Sequence, residues 1–342
     1  MKKSIFVFCV CCAAMAMTIC SCSNSDDNEG GNEKVALILP DGATVSRWAD
    51  DAKYLTNSLK SYNYEVQLFT APENEQGAAQ QVQQIEDAIK AGFKNIVITA
   101  IDYEAINKSG LLEANQDCNF ICYDRMIMDN DAVDFYTTCD PSKIGEMQAQ
   151  FLLEKIGIEK LKIEYFAGPK TDKNAVTYFN SAYNLLKNSS EMLDVPSGKT
   201  SFESVSLKSW SSEDARIEMA NRLEATKTVP DLILAPNDNV ADGIIKAIED
   251  SKLTFLTYPV ITGQDLTDAA KSNILSGKQA MSIYKEYEDL AETTAIIVNG
   301  FISGKPVKTS QTFNNGKKEV PVKYTNFTLV TINNIGKYIT NR

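Results

Sequence analysis

Arg47 with Trp48, Asp124 with Arg125, Asn237 with Asp238, Asp265 and Lys285 all fall at the predicted ends of strands, spread over most of the chain. Each offers a charge or a hydrogen-bonding group held in a fixed plane: a carboxylate accepts, a guanidinium donates through a fork, and an amide does both. Such a set suits a ligand with many neighbouring hydroxyls around an apolar ring face, which is the chemistry of a sugar. Trp48 and Trp210 are the only two tryptophans. Each stands beside a predicted helix start, where it either covers a ring face or packs in the core.

A plainer role is open to each residue. Asp124 and Arg125 can form a local ion pair, and Asp238 can cap the helix that follows while Asn237 faces a cleft. Asp265 can accept hydroxyls or cap the next helix, and Lys285 can be a solvated charge at a hinge. Their coincidence at strand ends favours one shared polar cleft, because ligands of open α/β sheets sit outside the carboxyl ends of the strands.

The chain contains no histidine, which removes the usual base of Ser-His-Asp and Cys-His catalysis and the commonest metal ligand. A carboxylate-pair glycosidase built on Asp124 with Asp265 or Asp238 is disfavoured, since neighbouring Arg and Lys hold carboxylates ionised and a general acid must keep its proton. No enzyme activity and no cofactor are expected. The formal net charge is −11 over 342 residues, a balance that argues against nucleic acid and against electrostatic docking on an anionic membrane.

The elements that must position these residues read as a repeating series. Val35 to Leu39 is an apolar run followed by a helical pattern through Tyr62. Val66 to Phe69, Ile96 to Thr99, Phe120 to Tyr123 and Phe135 to Cys139 read as strands, with helices over 76–91 and 103–114. Asp140-Pro141 opens a helix through Ile156. A second series comes next, with strands at 163–166, 204–207, 232–235, 260–262 and 280–283 and helices at 175–187, 213–225, 240–250, 267–276 and 287–300. The length is too great for one compact lobe of ordinary size, so the expectation is α/β with two Rossmann-like, doubly wound lobes of parallel strands. Neither a G-x-G-x-x-G nor a G-x-x-x-x-G-K turn follows a strand, so a phosphate cradle is not expected.

Residues 1–21 read as a secretory signal: Lys2 and Lys3 precede an uncharged run from Ile5 to Ile19, shorter than the ~20 residues a spanning helix needs. Ile19-Cys20-Ser21-Cys22 resembles the lipobox of bacterial lipoproteins. That resemblance implies lipidation of Cys22, with residues 22–33 as a polar tether. Of the eight cysteines, Cys118, Cys122 and Cys139 lie beyond the leader and read as buried core thiols.

Longer strings carry a wider resemblance: Leu39-Pro40-Asp41, Tyr123-Asp124-Arg125-Met126-Ile127, Asp134-Phe135-Tyr136, Lys143 to Ala149, Gly263-Gln264-Asp265-Leu266, Tyr284-Lys285 and Glu319-Val320-Pro321. In order along the chain, they resemble the periplasmic sugar-binding proteins of ABC importers, most closely the D-xylose-binding type. The resemblance implies a type 1 periplasmic-binding fold whose lobes are joined by a three-segment hinge. The N-terminal lobe would comprise 34–139 plus 285–318, and the C-terminal lobe 140–284 plus 319–342. By the same resemblance the ligand-binding positions are Arg47, Trp48, Arg125, Asn174, Trp210, Asn237, Asp265 and Lys285, to which the strand-end reading adds Asp124. Asp172-Lys173-Asn174-Ala175 departs from the family's Asp-Asn-Asn-Ala turn at Lys173. The resemblances together imply a monomeric, lipid-anchored solute-binding protein facing the periplasm. It would capture a monosaccharide, xylose or a related pentose or hexose, and deliver it to a membrane ABC permease; alternatively it would present its closed form to a membrane sensor protein.

Overall fold

The computed structural model describes residues 33–339; the expected signal segment, Cys22 and nearly all of the expected tether lie outside the described residues. The first lobe begins with β1 (Lys34–Pro40), α1 (Arg47–Lys60), β2 (Glu65–Ala71), α2 (Glu75–Lys90) and β3 (Asn95–Ile98). It continues through α3 (Tyr103–Ser109), α4 (Leu111–Ala114), β4 (Asn119–Tyr123) and β5 (Val133–Cys139). Val35 to Leu39 of β1 and Ile96 to Ile98 of β3 are fully buried, as parallel strands covered by helices on both faces must be. The helix expected over 103–114 is two short ones, because Gly110 adopts a left-handed φ of +66° and ends the first.

The second lobe holds α5 (Pro141–Leu153), β6 (Leu161–Tyr165), α6 (Lys173–Leu186), β7 (Leu193–Asp194), α7 (Phe202–Val205) and α8 (Ser212–Thr226). β8 (Leu232–Leu234), α9 (Asp238–Asp250), β9 (Val260–Ile261), α10 (Asp268–Leu275) and β10 (Met281–Lys285) complete the series. Strands β7, β6, β8 and β9 form a parallel sheet in that order, and a parallel bridge between Gln264 and Ile283 carries it on to β10. The strand expected at 204–207 is met only in part: Ser204 and Val205 end α7, while Ser206 forms an isolated parallel bridge with Ala167. Ser201 and Ser204 form a reciprocal capping box there, and Phe202 and Val205 enter the core. Burial of two such side chains, at roughly 1.5–3 kcal/mol each, outweighs the alternating polar pattern that reads as a strand.

The chain then returns. α11 (Tyr287–Ile302) packs on α1 of the first lobe. β11 (Thr312–Asn314) and β12 (Glu319–Thr325) extend the first sheet, whose order is β11-β12-β5-β4-β3-β1-β2, and β13 (Phe327–Thr331) pairs antiparallel with β10. The expected passage into the second lobe at 319 is therefore corrected. β12 is hydrogen-bonded in parallel to β5 from Val322 to Thr325, so the passage falls at Asn326. The crossovers are knitted together: the Glu286 N–H donates to Asn326 O at 3.3 Å, and Cys139 Sγ lies 3.3 Å from the same oxygen.

Candidate functional site

At the end of β4 the backbone turns abruptly, with Asp124 in the left-handed region at φ +62°. Its N–H donates to Thr137 O at 2.8 Å, and its carbonyl accepts from Tyr136 Oη (2.9 Å), Thr138 Oγ1 (3.1 Å) and Asn174 Nδ2 (2.8 Å). That over-determined backbone aims Asp124 Oδ1 at two cations, Lys285 Nζ at 2.8 Å and Arg47 Nη1 at 3.2 Å. Arg47 opens α1 and is gripped through Nε and Nη2 by Asp51, at 2.8 and 3.2 Å. Asp51 in turn accepts from the Tyr123 hydroxyl. Burial raises the Asp124 carboxyl, but Arg47 and Lys285 outweigh it and hold the group well below the usual carboxylate range.

Arg125 bonds elsewhere than to its neighbour, so the local ion pair with Asp124 is not formed. Its Nη2 meets Glu73 at 2.6 Å and its Nε meets Asp172 at 2.9 Å. Trp48 Nε1 donates to Glu73 at 3.2 Å and Trp210 Nε1 to Asp172 at 3.1 Å. The result is one chain, Trp48–Glu73–Arg125–Asp172–Trp210, that crosses from the first lobe to the second. The Trp48 ring also lies 4.3 Å from the Arg47 guanidinium and 5.0 Å from that of Arg125. Burial pushes the Glu73 and Asp172 carboxyls up, and Arg125 between them offsets only part of that.

The second lobe presents Asn174 after Asp172, which caps α6 by accepting from the Asn174 N–H at 2.8 Å. At the next strand end the roles of Asn237 and Asp238 are exchanged relative to one expectation. Asn237 caps α9 by accepting from the Val240 N–H at 3.0 Å, and its amide nitrogen is left for the cavity. Asp238 points away, accepting from Gln279 Nε2 (2.7 Å), the Thr267 N–H (2.9 Å) and Ser282 Oγ (3.0 Å). Burial first, and the charge of Asp265 second, push its carboxyl up to about 8. The expectation that Arg and Lys keep every such carboxylate ionised thus fails at Asp238, which no cation pairs. Asp265 does not cap α10, since Thr267 does so; its Oδ1 lies 3.5 Å from Arg47 Nη1.

Arg47, Trp48, Asp124, Arg125, Asn174, Trp210, Asn237, Asp265 and Lys285 line one narrow cavity between the lobes. Lys285 is buried there rather than solvated. Asp172, Tyr178 and Gln264 line it too, and Glu73 and Asp51 hold its arginines; the sequence pattern marks none of these five as a binding position. Glu73 obeys the same strand-end rule, two residues after β2. Tyr178 follows Asn174 by one helical turn and so shares its face, and Gln264 adjoins Asp265. The assembled wall combines planar donors and acceptors from both lobes with two indoles.

Residues 35–306 match the family described as periplasmic binding protein domain. The chain belongs to that family. Among its periplasmic binding protein relatives is the multiple sugar-binding periplasmic receptor ChvE of Rhizobium radiobacter, 31% identical over 84% of this chain and 83% of the relative. The D-xylose-binding periplasmic protein of Escherichia coli K12 is 31% identical over 88% of each. Among solved structures, an ABC transporter solute-binding protein of Clostridium phytofermentans with bound β-D-glucose superposes with a TM-score of 0.83. It is 30% identical, and the match covers 90% of this chain and 97% of that one. The expected family and two-lobed type 1 fold hold, and this periplasmic binding protein is a binding protein and not an enzyme.

Proposed function

We propose that the chain captures one monosaccharide in pyranose form in the interlobe cavity. The observation that carries this reading is the meeting of charged, amide and indole side chains from both lobes around one interlobe space. Arg47 and Arg125 are each held by a carboxylate of their own lobe, Asp51 and Glu73, so they are aimed before a ligand arrives and little side-chain entropy is lost on binding. Asp124 and Asp265 supply acceptors, the Asn237 amide nitrogen supplies a donor, and Trp48 and Trp210 supply apolar surface. The sugars of the relatives, D-xylose and β-D-glucose, support a gluco- or xylo-configured ligand. These two differ only in the exocyclic hydroxymethyl group.

Contacts from both lobes to one ligand favour the closed form, and a membrane permease of the ABC type reads that form. Lipidation at Cys22 would keep the protein on a membrane facing the periplasm. The word receptor in the name of the Rhizobium relative supports a second arrangement, in which a membrane sensor reads the closed form. Thermal unfolding of the protein from residue 23 onward against pentoses, hexoses and inositol tests the binding reading. A ligand at 100-fold excess over its Kd adds about 2.7 kcal/mol; a panel without any stabilising sugar contradicts it.

A further inference from the structure

The lobes are also bonded to each other directly. Arg125 Nε of the first lobe meets Asp172 of the second at 2.9 Å, and Asn174 Nδ2 donates to the Asp124 carbonyl at 2.8 Å. All four of these residues line the cavity. A further cross-lobe bond is made by residues that do not. Asn239, in the first turn of α9, donates through its side-chain amide to the Thr44 carbonyl in the loop between β1 and α1. A carbonyl only accepts, so the amide nitrogen is the group that faces it. Both residues are half-buried, and each adjoins the cavity wall: Thr44 precedes Val45, and Asn239 follows Asn237 by two positions. The loop moves with the first lobe, because the Asp41 N–H donates to Ala71 O at 2.8 Å and the Ala43 N–H to Asp41 Oδ1 at 2.9 Å.

We propose that Asn239 is a closure latch, a positioning residue that sets sugar affinity without touching the sugar. The inference rests on the monosaccharide reading of the cavity and extends it. The bond to Thr44 joins two lobes that part when the cleft opens, so it stabilises the closed form alone. That contribution is the same whichever sugar is enclosed, and its loss lowers every affinity by one factor. A residue in contact with the ligand behaves differently, because its loss falls unequally on sugars that differ at the contacted hydroxyl.

Calorimetry and stopped-flow tryptophan fluorescence with D-glucose, D-xylose, D-galactose and L-arabinose would compare wild type, Asn239→Ala and Asn239→Asp. The aspartate variant removes the donor and keeps the fold, since an acidic side chain in the first turn of a helix is favourable; urea unfolding checks this. Both variants should lose about threefold or more in affinity for each sugar that wild type binds, by a factor common to the sugars within about twofold, and through faster dissociation. Unchanged affinity in Asn239→Asp overturns the latch and leaves the cavity reading intact. A loss that differs more widely between sugars also overturns it, by marking Asn239 as a ligand contact, and so does a loss carried by slower association. If wild type binds none of the four, the cavity reading falls and the latch with it.

Discussion

Asp124 and Asp238 are both buried carboxylates placed just beyond strand ends, one in each lobe, and they behave in opposite ways. Asp124 faces Arg47 and Lys285 and is held ionised. Asp238 faces an amide, a hydroxyl and a backbone N–H, and burial together with the nearby Asp265 lifts it to about 8. Position in the topology therefore does not assign a role; the partner does. A carboxylate balanced by cations at a cavity wall can accept ligand hydroxyls, whereas one enclosed by neutral donors ties a helix start to a strand.

The largest effect should come from Asp124→Ala, which strands the buried Lys285 and removes one of the three carboxylates around Arg47. Breaking a buried pair in this way costs about 3–5 kcal/mol, readable in urea unfolding, and a loss under about 1 kcal/mol would show that Lys285 is satisfied elsewhere. A paired substitution sharpens the contrast between the two lobes' carboxylates. A Cβ at Gly168 meets Trp210, and one at Gly263 meets Asp238 and Gln279. Both overpack, at about 1–3 kcal/mol. Gly168→Ala should weaken sugar binding strongly, and Gly263→Ala should act mainly on stability; equal losses of affinity would erase the distinction.

The pH dependence is the subtler test. Because the folded-state value of Asp238 lies above its ordinary value of 3.8, the folded protein binds more protons than the unfolded chain between pH 4 and 8. Its stability contribution is present below the unfolded value and is lost as pH rises through the folded one, with a slope of at most about 1.4 kcal/mol per pH unit. Glu73, Asp172 and Asp51 are shifted in the same direction by burial, so Asp238→Asn should flatten the decline only in part. Denaturant titrations from pH 4 to 8 that leave the slope unchanged would contradict the assignment. Asp124 has the opposite sign, losing its contribution only as pH falls well into the acid range.

Most of the candidate site was legible because short apolar runs end abruptly in a proline or a charged residue: Leu39-Pro40, Tyr123-Asp124 and Ala235-Pro236 mark sheet edges without any long-range information. The choice between Asn237 and Asp238 as helix cap was not, since both residue types cap well and only helix register decides. Glu73 is hidden behind Pro72, in a stretch whose β2 strand is exposed and weakly patterned. The C-terminal hairpin is hard to read for a related reason. Glu319 to Thr325 contains Pro321, which weakens a strand pattern, yet its edge-side pairing with β11 and parallel pairing with β5 accommodate it.

The most direct measurement is titration calorimetry of D-glucose and D-xylose into wild type, Asp124→Asn and Asp238→Asn, with folding checked by circular dichroism. The expected result is that wild type binds at least one sugar, Asp124→Asn loses about tenfold or more in affinity, and Asp238→Asn stays within about threefold. Equal binding by the two variants, or a loss confined to Asp238→Asn, would contradict the assignment of the interlobe cavity as the sugar site.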